Sequence, residues 1–432
     1  MLIPSISHGM GLIVLFGRNG LLTNILGWDG TIYGQIGIIA GGFLYSFPVA
    51  FLLLLDVLKY EDGSVYEAAD ILGVAKWRQI KDITLPYLYK PLVTVFFAVF
   101  TMVITDYGVP LVVGGKVITL PVLMYQEVAG LLHFDKGAVI AFVLLVPAVV
   151  AFIIDLLINT DKINGSIQPV AIRKNEILDK IAYISMIIFS ICLLLPIVIF
   201  IPLSFMQRYP FDLSITFTHI ENTFNMHGGM YLLNSLVMAV IVAVVGTVLA
   251  TASAYITARV KGCGAVVLHF LTISTLAVPG IVLGLGYILL FKGSFIYGTL
   301  AILIMVNIVH FFASPYLMMY NAFGKLNSEL ENISMTLGIG RWYIIKDVLL
   351  PQVKGTLTEM FAYYFVNCMM TISAVTFLAN TSNKPIALLI PQFEGQMMLE
   401  SAAFISVIIL IVNILMKVLM NLAKADKGAK KC

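Results

Sequence analysis

The chain has 432 residues, of which 60% are hydrophobic and only 11% are charged, and its formal net charge is +3. Soluble domains carry about 25% charged residues, so this composition excludes an ordinary soluble globular protein. The mean hydropathy of +0.99 instead indicates a chain that lies largely in a lipid bilayer.

Long apolar runs recur along the whole chain. They fall at 1–16, 32–55, 91–105, 137–154, 181–205, 231–258, 265–291, 298–320, 356–379 and 401–422. A helix needs about 20 apolar residues to cross a bilayer, and these runs reach that length or fall slightly short of it. They are too long for strands and lack the alternation of a barrel. We therefore predict an all-α polytopic membrane protein with about ten helices.

Two polar segments, the first loop (64–86) and the second loop (328–351), interrupt these runs. Placing both on one side of the membrane leaves six of the 26 Lys and Arg residues on the other side. Those six are Arg18, Lys116, Lys136, Arg208, Lys292 and Lys384. Because positive charge stays on the cytoplasmic side, both loops and the C-terminus are predicted to be cytoplasmic in a multi-pass protein of the cell membrane. The basic tail (424–432) is interpreted as a topology determinant, and no nucleic-acid partner is expected.

The two loops repeat each other. A first offset, which places Leu72 on Leu337, superposes eight identical residues of the first loop on the second: Leu72, Gly73, Trp77, Ile80, Lys81, Asp82, Leu85 and Pro86. A second offset, which is slightly larger, superposes Pro4, Gly9, Gly11 and Phe16 on Pro279, Gly284, Gly286 and Phe291. This pattern predicts a parallel repeat, with a first half at 1–160, a cytoplasmic linker at 161–180 and a second half at 181–423.

The first half lacks counterparts of the runs at 181–205 and 231–258. Met1 corresponds to Leu276 of the second half, so the first half is predicted to be truncated at its N-terminus. We expect two to three further helices upstream, because the run at 1–16 alone is too short to cross the bilayer.

The residues of the first loop predict two short amphipathic helices lying across the membrane face. Gly73 can end the first helix in a left-handed turn, and Trp77, Ile80 and Ile83 then recur at helical spacing. Such a helix can be bound in the groove of a soluble partner. For a single copy, an ordinary interfacial helix is the commoner interpretation, and the duplication favours a partner.

The sequence Glu67-Ala68-Ala69, followed by Gly73 and by the Leu85-Pro86 ending, resembles the EAA loop of ABC-importer permeases. Nearly the whole chain is similar to the fused two-permease subunit of iron(III) and 2-aminoethylphosphonate importers. This resemblance implies two separate ATPase subunits as partners, an extracytoplasmic substrate-binding protein, and a substrate that is iron(III) or 2-aminoethylphosphonate. It also implies that Glu67 and Gly73 seat the loop in the ATPase cleft.

The second loop departs from the pattern. Asn332-Ile333-Ser334 stands in place of the Glu-Ala-Ala sequence, while Gly338, Leu350 and Pro351 are retained. The role of the glutamate is therefore not carried over, and the two ATPase contacts are expected to be unequal.

Four polar residues in or beside the apolar runs are candidates for a substrate path. Asp106 ends an apolar run, and a carboxylate inside a membrane usually serves a pathway, although helix capping near the outer interface explains it equally well. Asn367, Thr371 and Ser373 lie in the run at 356–379, where packing between helices is the commoner role for small polar residues. The outer loops at 107–136, 206–230 and 380–400 offer surface to a binding protein.

No catalytic motif is present. GxxxxGK[ST], HExxH and GxSxG are absent, so we expect a transport subunit that is not an enzyme, with ATP hydrolysis in a partner chain. The four cysteines lack metal-site or disulfide spacing, and no metal or other cofactor is expected. The alternative is a secondary transporter with parallel repeats, which would need no paired cytoplasmic loops but should carry more buried ionisable residues.

Overall fold

The computed structural model describes residues 2–27, 30–59, 61–158, 176–260, 262–327 and 329–428. Contacts divide the chain into two compact units. The first unit contains His8–Val122 and Phe142–Ile199, and the second contains Leu2–Ser7, Leu123–Ala141 and Phe200–Cys432. Most of the predicted linker and the end of the basic tail lie outside the described residues.

The described residues are almost entirely helical. The helices up to the second loop are α1 Ser5–Phe16, α2 Leu21–Leu26, α3 Gln35–Lys59, α4 Gly63–Ile71, α5 Lys76–Gln79, α6 Leu85–Ile104, α7 Gly108–Val113, α8 Leu120–Tyr125, α9 Phe134–Ile158, α10 Glu176–Val198, α11 Phe200–Leu203, α12 Thr218–Asn225, α13 Gly228–Arg259, α14 Cys263–Ser274, α15 Gly280–Phe291, α16 Leu300–His310 and α17 Ala313–Gly324. They are followed by α18 Leu330–Thr336, α19 Arg341–Ile344, α20 Leu350–Gln352, α21 Lys354–Met370, α22 Leu389–Gly395 and α23 Leu399–Gly428. Three π-helical turns lie at Ile80–Thr84, Gln126–Gly130 and Ile345–Leu349, and 3₁₀ turns lie at Thr275–Ala277 and Ile386–Leu388. One antiparallel hairpin pairs β1 Met206–Arg208 with β2 Asp212–Ile215.

Seven helical segments of the described chain are long and apolar enough to cross a membrane, and two bent helix pairs bring the number to nine. The seven are Ser5–Leu26, Gln35–Lys59, Lys76–Ile104, Phe134–Ile154, Glu176–Leu203, Gly228–Arg259 and Leu399–Leu422. The first of them continues to Leu26, beyond the expected end at residue 16. The predicted all-α polytopic membrane fold is confirmed.

Two apolar runs that were expected to be continuous helices are broken. The run at 265–291 forms α14 and α15, which are bent by 111°, and the run at 298–320 forms α16 and α17, which are bent by 50°. Pro279 immediately precedes α15 and lacks the amide hydrogen that would continue a helix. Hydropathy alone is insensitive to such breaks.

A third apolar run also ends early. The run at 356–379 is helical only up to Met370, as α21, and Thr371 continues it in an extended conformation. The residues that follow are rich in β-branched side chains, including Ile372 and Val375, which have low helix propensity. Thr371 and Ser373 therefore lie beyond the helix in which they were placed.

The helix bounds reproduce the sequence repeat. At the first offset, five elements of the first copy begin at residues that correspond to the start of an element in the second copy. The pairs of first residues are Gln35 and Leu300, Lys76 and Arg341, Ile80 and Ile345, Leu85 and Leu350, and Phe134 and Leu399. At the second offset, Ser5–Phe16 corresponds to Gly280–Phe291 at both ends. Leu132 and Met397, which correspond at the first offset, share the same positive φ of 59°. The parallel repeat of two permease-like halves is confirmed.

The packing units differ from the halves drawn on the sequence. α10 contains most of the run at 181–205, which was assigned to the second half, yet its contacts place it in the first unit. Its Phe189 ring packs edge to face on Phe47 of α3, 4.8 Å between centroids. α10 also begins at Glu176, inside the range predicted to be linker.

In the second unit, the long helix α13 is the centre of the packing and contacts α16, α17 and α21. One face of α13 carries small buried residues, Ala239, Ala243, Gly246 and Ala250. A Cβ atom at Gly246 would lie only 2.7 Å from the Tyr364 ring of α21. Small residues of this kind let membrane helices approach closely, so α13 packs tightly against α21.

Candidate functional site

The first loop begins with α4. Asp62 caps this helix by accepting a 3.0 Å hydrogen bond from the Ser64 amide. The helix ends as predicted, because Gly73 has a φ of +70° and the Val74 amide returns to the Ala69 carbonyl at 2.9 Å. The chain then turns directly into α5.

The motif residues lie on both sides of α4. Glu67 and Ala68 are exposed, whereas Ala69 is buried. Beside the turn, the apolar side chains of Leu72 and Trp77 are 79% and 74% exposed. A free carboxylate next to exposed apolar side chains forms a surface suited to a protein partner.

Two residues that the sequence patterns did not indicate hold the turn together. The Gln79 side chain, only 2% exposed, donates to Asp70 at 2.7 Å and to the Val74 carbonyl at 2.9 Å. Lys76 adds an ion pair with Asp70 at 2.6 Å. The second loop has Ile344, also buried, at the position of Gln79, so the repeat pattern gave no signal for this polar contact.

A second polar contact joins α4 to its neighbours. The Tyr66 hydroxyl donates to the buried Glu61 carboxylate and lies 2.6 Å from the Thr84 hydroxyl. Burial and the hydrogen bond with Glu61 raise the pKa of Tyr66. Because Thr84 ends the π-helical turn before α6, this contact ties α4 to the start of a membrane span.

The predicted pair of short helices needs correction. The second member of the pair is not separate: α5 continues through the π-helical turn Ile80–Thr84 into α6, and the combined segment Lys76–Ile104 is one candidate span. Leu85 and Pro86 are the first residues of α6, and the Leu85 amide donates to the Ile80 carbonyl across the π-helical turn, so the helix is continuous at this point. Any rotation of α5 is therefore transmitted directly into the span.

The second loop repeats this order of elements, except that the helix after its π-helical turn is interrupted at Val353 before α21 begins. α18 is followed by Gly338 with a φ of +68°, then by α19, the π-helical turn Ile345–Leu349 and α20, which contains Leu350 and Pro351. The side chains of Asn332 and Ser334 lie outside the described residues. Glu331 does not replace Glu67 as a free carboxylate, because it is bound by Arg259 at 2.6 Å.

The candidate path residues occupy different settings. Asp106 accepts hydrogen bonds from the Gly108 and Val109 amides, at 3.3 and 3.0 Å, and so caps α7. Asn367 lies in α21 and donates to the Tyr363 carbonyl of its own helix at 2.8 Å. Thr371 is buried and Ser373 half-buried in the non-helical segment beyond α21. Capping and local hydrogen bonding thus account for Asp106 and Asn367.

Ser373 lies where three interrupted runs meet. A Cβ atom at Gly280, the first residue of α15, would lie 2.6 Å from the Ser373 hydroxyl oxygen and 2.9 Å from the His310 ring at the end of α16. His310 and Gly280 were not assigned to this site from the sequence, because the breaks that bring them together were not predicted. In the part of the chain that the structure describes, no three His, Cys, Asp or Glu residues are grouped so as to hold a metal ion.

Comparison with known proteins agrees with this architecture. The family model described as "Binding-protein-dependent transport system inner membrane component" matches residues 1–160 and 246–425. A putative ferric transport system permease protein, FbpB 1, of Haemophilus influenzae is 26% identical over 88% of this chain and 63% of its own length. The ferric transport system permease protein FbpB of Actinobacillus pleuropneumoniae is 24% identical over 88% of this chain and 58% of its own length.

The thiamine transport system permease protein ThiP of Escherichia coli is 22% identical over 96% of this chain and 79% of its own length. A solved bacterial ABC transporter involved in alginate import is similar over 59% of this chain and 99% of that chain, with a TM-score of 0.46 and 17% identity. The chain spans about three fifths of the length of the two ferric permeases. Because the family model covers well over half of its residues, the chain belongs to the inner membrane components of binding-protein-dependent transport systems.

Proposed function

We propose that this chain is the membrane permease subunit of an ABC importer and that its two loops bind separate ATPase subunits in the cytoplasm. The observation that carries this proposal is the duplicated loop geometry: a short helix, a left-handed glycine, a second helix and a π-helical turn that leads into a further helix. The family membership supports the same role, since its members are components of binding-protein-dependent transport systems.

The residues of the first loop have distinct roles in this proposal. Glu67 and Gly73 seat the loop in the ATPase cleft with the exposed Ala68 beside them, while the buried Ala69 supports the turn through its carbonyl, which accepts from the Val74 amide. The matching turn at Gly338 seats the second loop. Leu85 and Pro86, with Leu350 and Pro351, carry movement of the loops into the membrane helices.

The substrate proposal follows the relatives. Two similar permeases are named for ferric transport, so we propose iron(III) as the substrate, with 2-aminoethylphosphonate as the competing ligand to be tested. An extracytoplasmic binding protein would deliver it to the outer loops. Ser373, beside His310 and Gly280, is the path residue best supported by its surroundings, because interrupted helices line substrate sites in other transporters. Asp106, Asn367 and Thr371 remain weaker candidates for the path.

We retain the organisation expected from the repeat, with halves at 1–160 and 181–423, a linker at 161–180 and a cytoplasmic tail at 424–432. The shared helix order supports the halves as copies of one unit. The placement of α10 in the first packing unit fits a fused chain in which a helix of one copy packs on the other.

Uptake by proteoliposomes tests this function. The chain, reconstituted with its ATPase and binding protein, should accumulate radioactive iron(III) when ATP is supplied, and vanadate should stop the uptake. Accumulation of 2-aminoethylphosphonate or thiamine in place of iron(III) would contradict the proposed substrate but leave the proposed role in an ABC importer intact. Uptake that survives without ATP and stops with a protonophore would overturn the ABC assignment in favour of a secondary transporter.

A further inference from the structure

A single guanidinium group binds the second loop. Arg259 is the last residue of α13, and its side chain is only 5% exposed. Its Nε donates to Oε1 of Glu331 at 2.6 Å and its Nη2 donates to Oε2 at 2.7 Å. Such a two-point contact fixes the orientation of both side chains, so α18 is held in one position against α13.

The same guanidinium also binds the end of α17. Nη1 donates to the carbonyls of Leu326 at 3.0 Å and Phe323 at 3.4 Å, and Nη2 donates to the Asn327 carbonyl at 2.8 Å. Phe323 lies in the last turn of α17, and Leu326 and Asn327 follow that helix, so the guanidinium holds the end of α17 together with the chain that leaves it. Arg259 therefore joins three helices: α13, α17 and α18.

The first loop is attached differently. At the first offset of the repeat, Tyr66 occupies the position of Glu331. Tyr66 binds Glu61, just beyond α3, and Thr84, at the start of α6. Tyr66 cannot form the carboxylate contact that Glu331 forms, so within the described residues the first loop is held by hydroxyl contacts and the second by a two-point ion pair.

We infer that Arg259 is a positioning residue that couples the second loop to α13 and α17, whereas Tyr66 couples the first loop to α6. This inference rests on the proposed function, in which both loops bind ATPase subunits. Movement of α13 and α17 then reaches one ATPase, and movement of α6 reaches the other. The unequal ATPase contacts expected from the Glu-Ala-Ala sequence become unequal mechanical connections as well.

Hydrogen exchange of the isolated permease tests the attachment without any ATPase. Arg259→Gln removes the two-point contact between Arg259 and the partly buried Glu331, so amides of 330–336 should exchange about tenfold faster. Arg259→Lys keeps the positive charge but cannot make the two-point contact of the guanidinium, so it should restore part of the protection of these amides from exchange. Tyr66→Phe is the matched control: it should speed amide exchange at 63–71 and leave the exchange rates at 330–336 unchanged. Unchanged exchange at 330–336 in Arg259→Gln would overturn the inference.

The transport complex tests the coupling. Arg259→Gln should increase the ATP hydrolysed for each substrate molecule transported, with Arg259→Lys intermediate, because one ATPase loses its connection to α13. An unchanged ratio in a variant with faster exchange would show a structural role only and would contradict the coupling. If the wild-type chain fails to bind an ATPase, the proposed function is wrong, while the exchange result still decides how the loop is attached.

Discussion

Gly73 and Gly338 show how a single backbone angle shapes each loop. Both residues have φ near +70°, a region that other L-residues rarely adopt, and a Cβ atom at either position would have no neighbour within 4 Å. Glycine is therefore favoured at both positions by the backbone conformation, and not by a lack of room for a side chain. Any effect of a substitution on the partner should follow the tolerance of the new residue for the left-handed region.

Substitutions at Gly73 should weaken ATPase binding in a graded series. Gly73→Val should weaken ATPase binding at least about tenfold, because a left-handed conformation costs roughly 1–2 kcal/mol for ordinary residues and more for a β-branched one. Gly73→Asn should retain most of the binding, since asparagine tolerates this region. Binding of the ATPase to permease in nanodiscs measures the series.

The matched control is Gly264→Val, at an exposed helical glycine that also has open space around it. It should leave the affinity unchanged. Equal binding by the Val and Asn variants of Gly73 would show that the left-handed turn does not shape the ATPase contact.

Not every residue of the site could be predicted from the sequence. Glu67 and Gly73 stand in a motif with defined spacing, so they were found. Arg259 lies 72 positions before Glu331, and nothing in the local sequence links them. Gln79 was missed for another reason: its counterpart in the repeat is apolar, and the shared pattern therefore concealed a polar contact that only one copy makes.

The π-helical turns are the feature of secondary structure that both loops share. Each lies between a short helix and a proline-containing helix start, at Ile80–Thr84 and Ile345–Leu349, and in the first loop it leads without a break into a span. A π-helical turn contains one more residue than an α-helical turn and is often found at functional positions. Its length sets the rotation of the loop relative to the span.

Deleting Asp82 should convert the first π-helical turn into α-helix. The residues before it would then rotate by about 100° relative to α6, and Trp77 would leave the surface on which a partner binds. We expect the ATPase to be lost while circular dichroism shows unchanged helix content. Asp82→Ala, which keeps the length, should retain the ATPase. Retention in the deletion variant would mean that this rotation is not part of the contact.

Sequence patterns predicted element lengths better than element breaks. Apolar composition located each run, because the bilayer sets the length of a span. It could not show the bend before Gly280 or the end of α21 at Met370, since both depend on proline placement and helix propensity within runs that are apolar throughout. These are the breaks that bring Ser373 to Gly280 and His310.

For the molecule as a whole, the repeat could be predicted from the sequence because the two polar loops contain identical residues at matching positions. The helix bounds then reproduced the same offsets across both copies. The half against which α10 packs could not be predicted from the sequence, because its apolar side chains are compatible with packing against either one. Packing units and repeat copies therefore have to be distinguished in any account of how the chain moves.

Disulfide cross-linking in membranes tests whether both loops contact the ATPase subunits. With the four native cysteines replaced by serine, one cysteine is placed at Leu72, Leu337 or Phe295, which are 79%, 68% and 94% exposed. We expect Leu72→Cys and Leu337→Cys to form cross-links to cysteines in the ATPase cleft, while Phe295→Cys, in a loop proposed to lie outside, should form none. Cross-linking at Phe295 alone, or at none of the three with the ATPase bound, would contradict the assignment of the two loops as ATPase-binding elements.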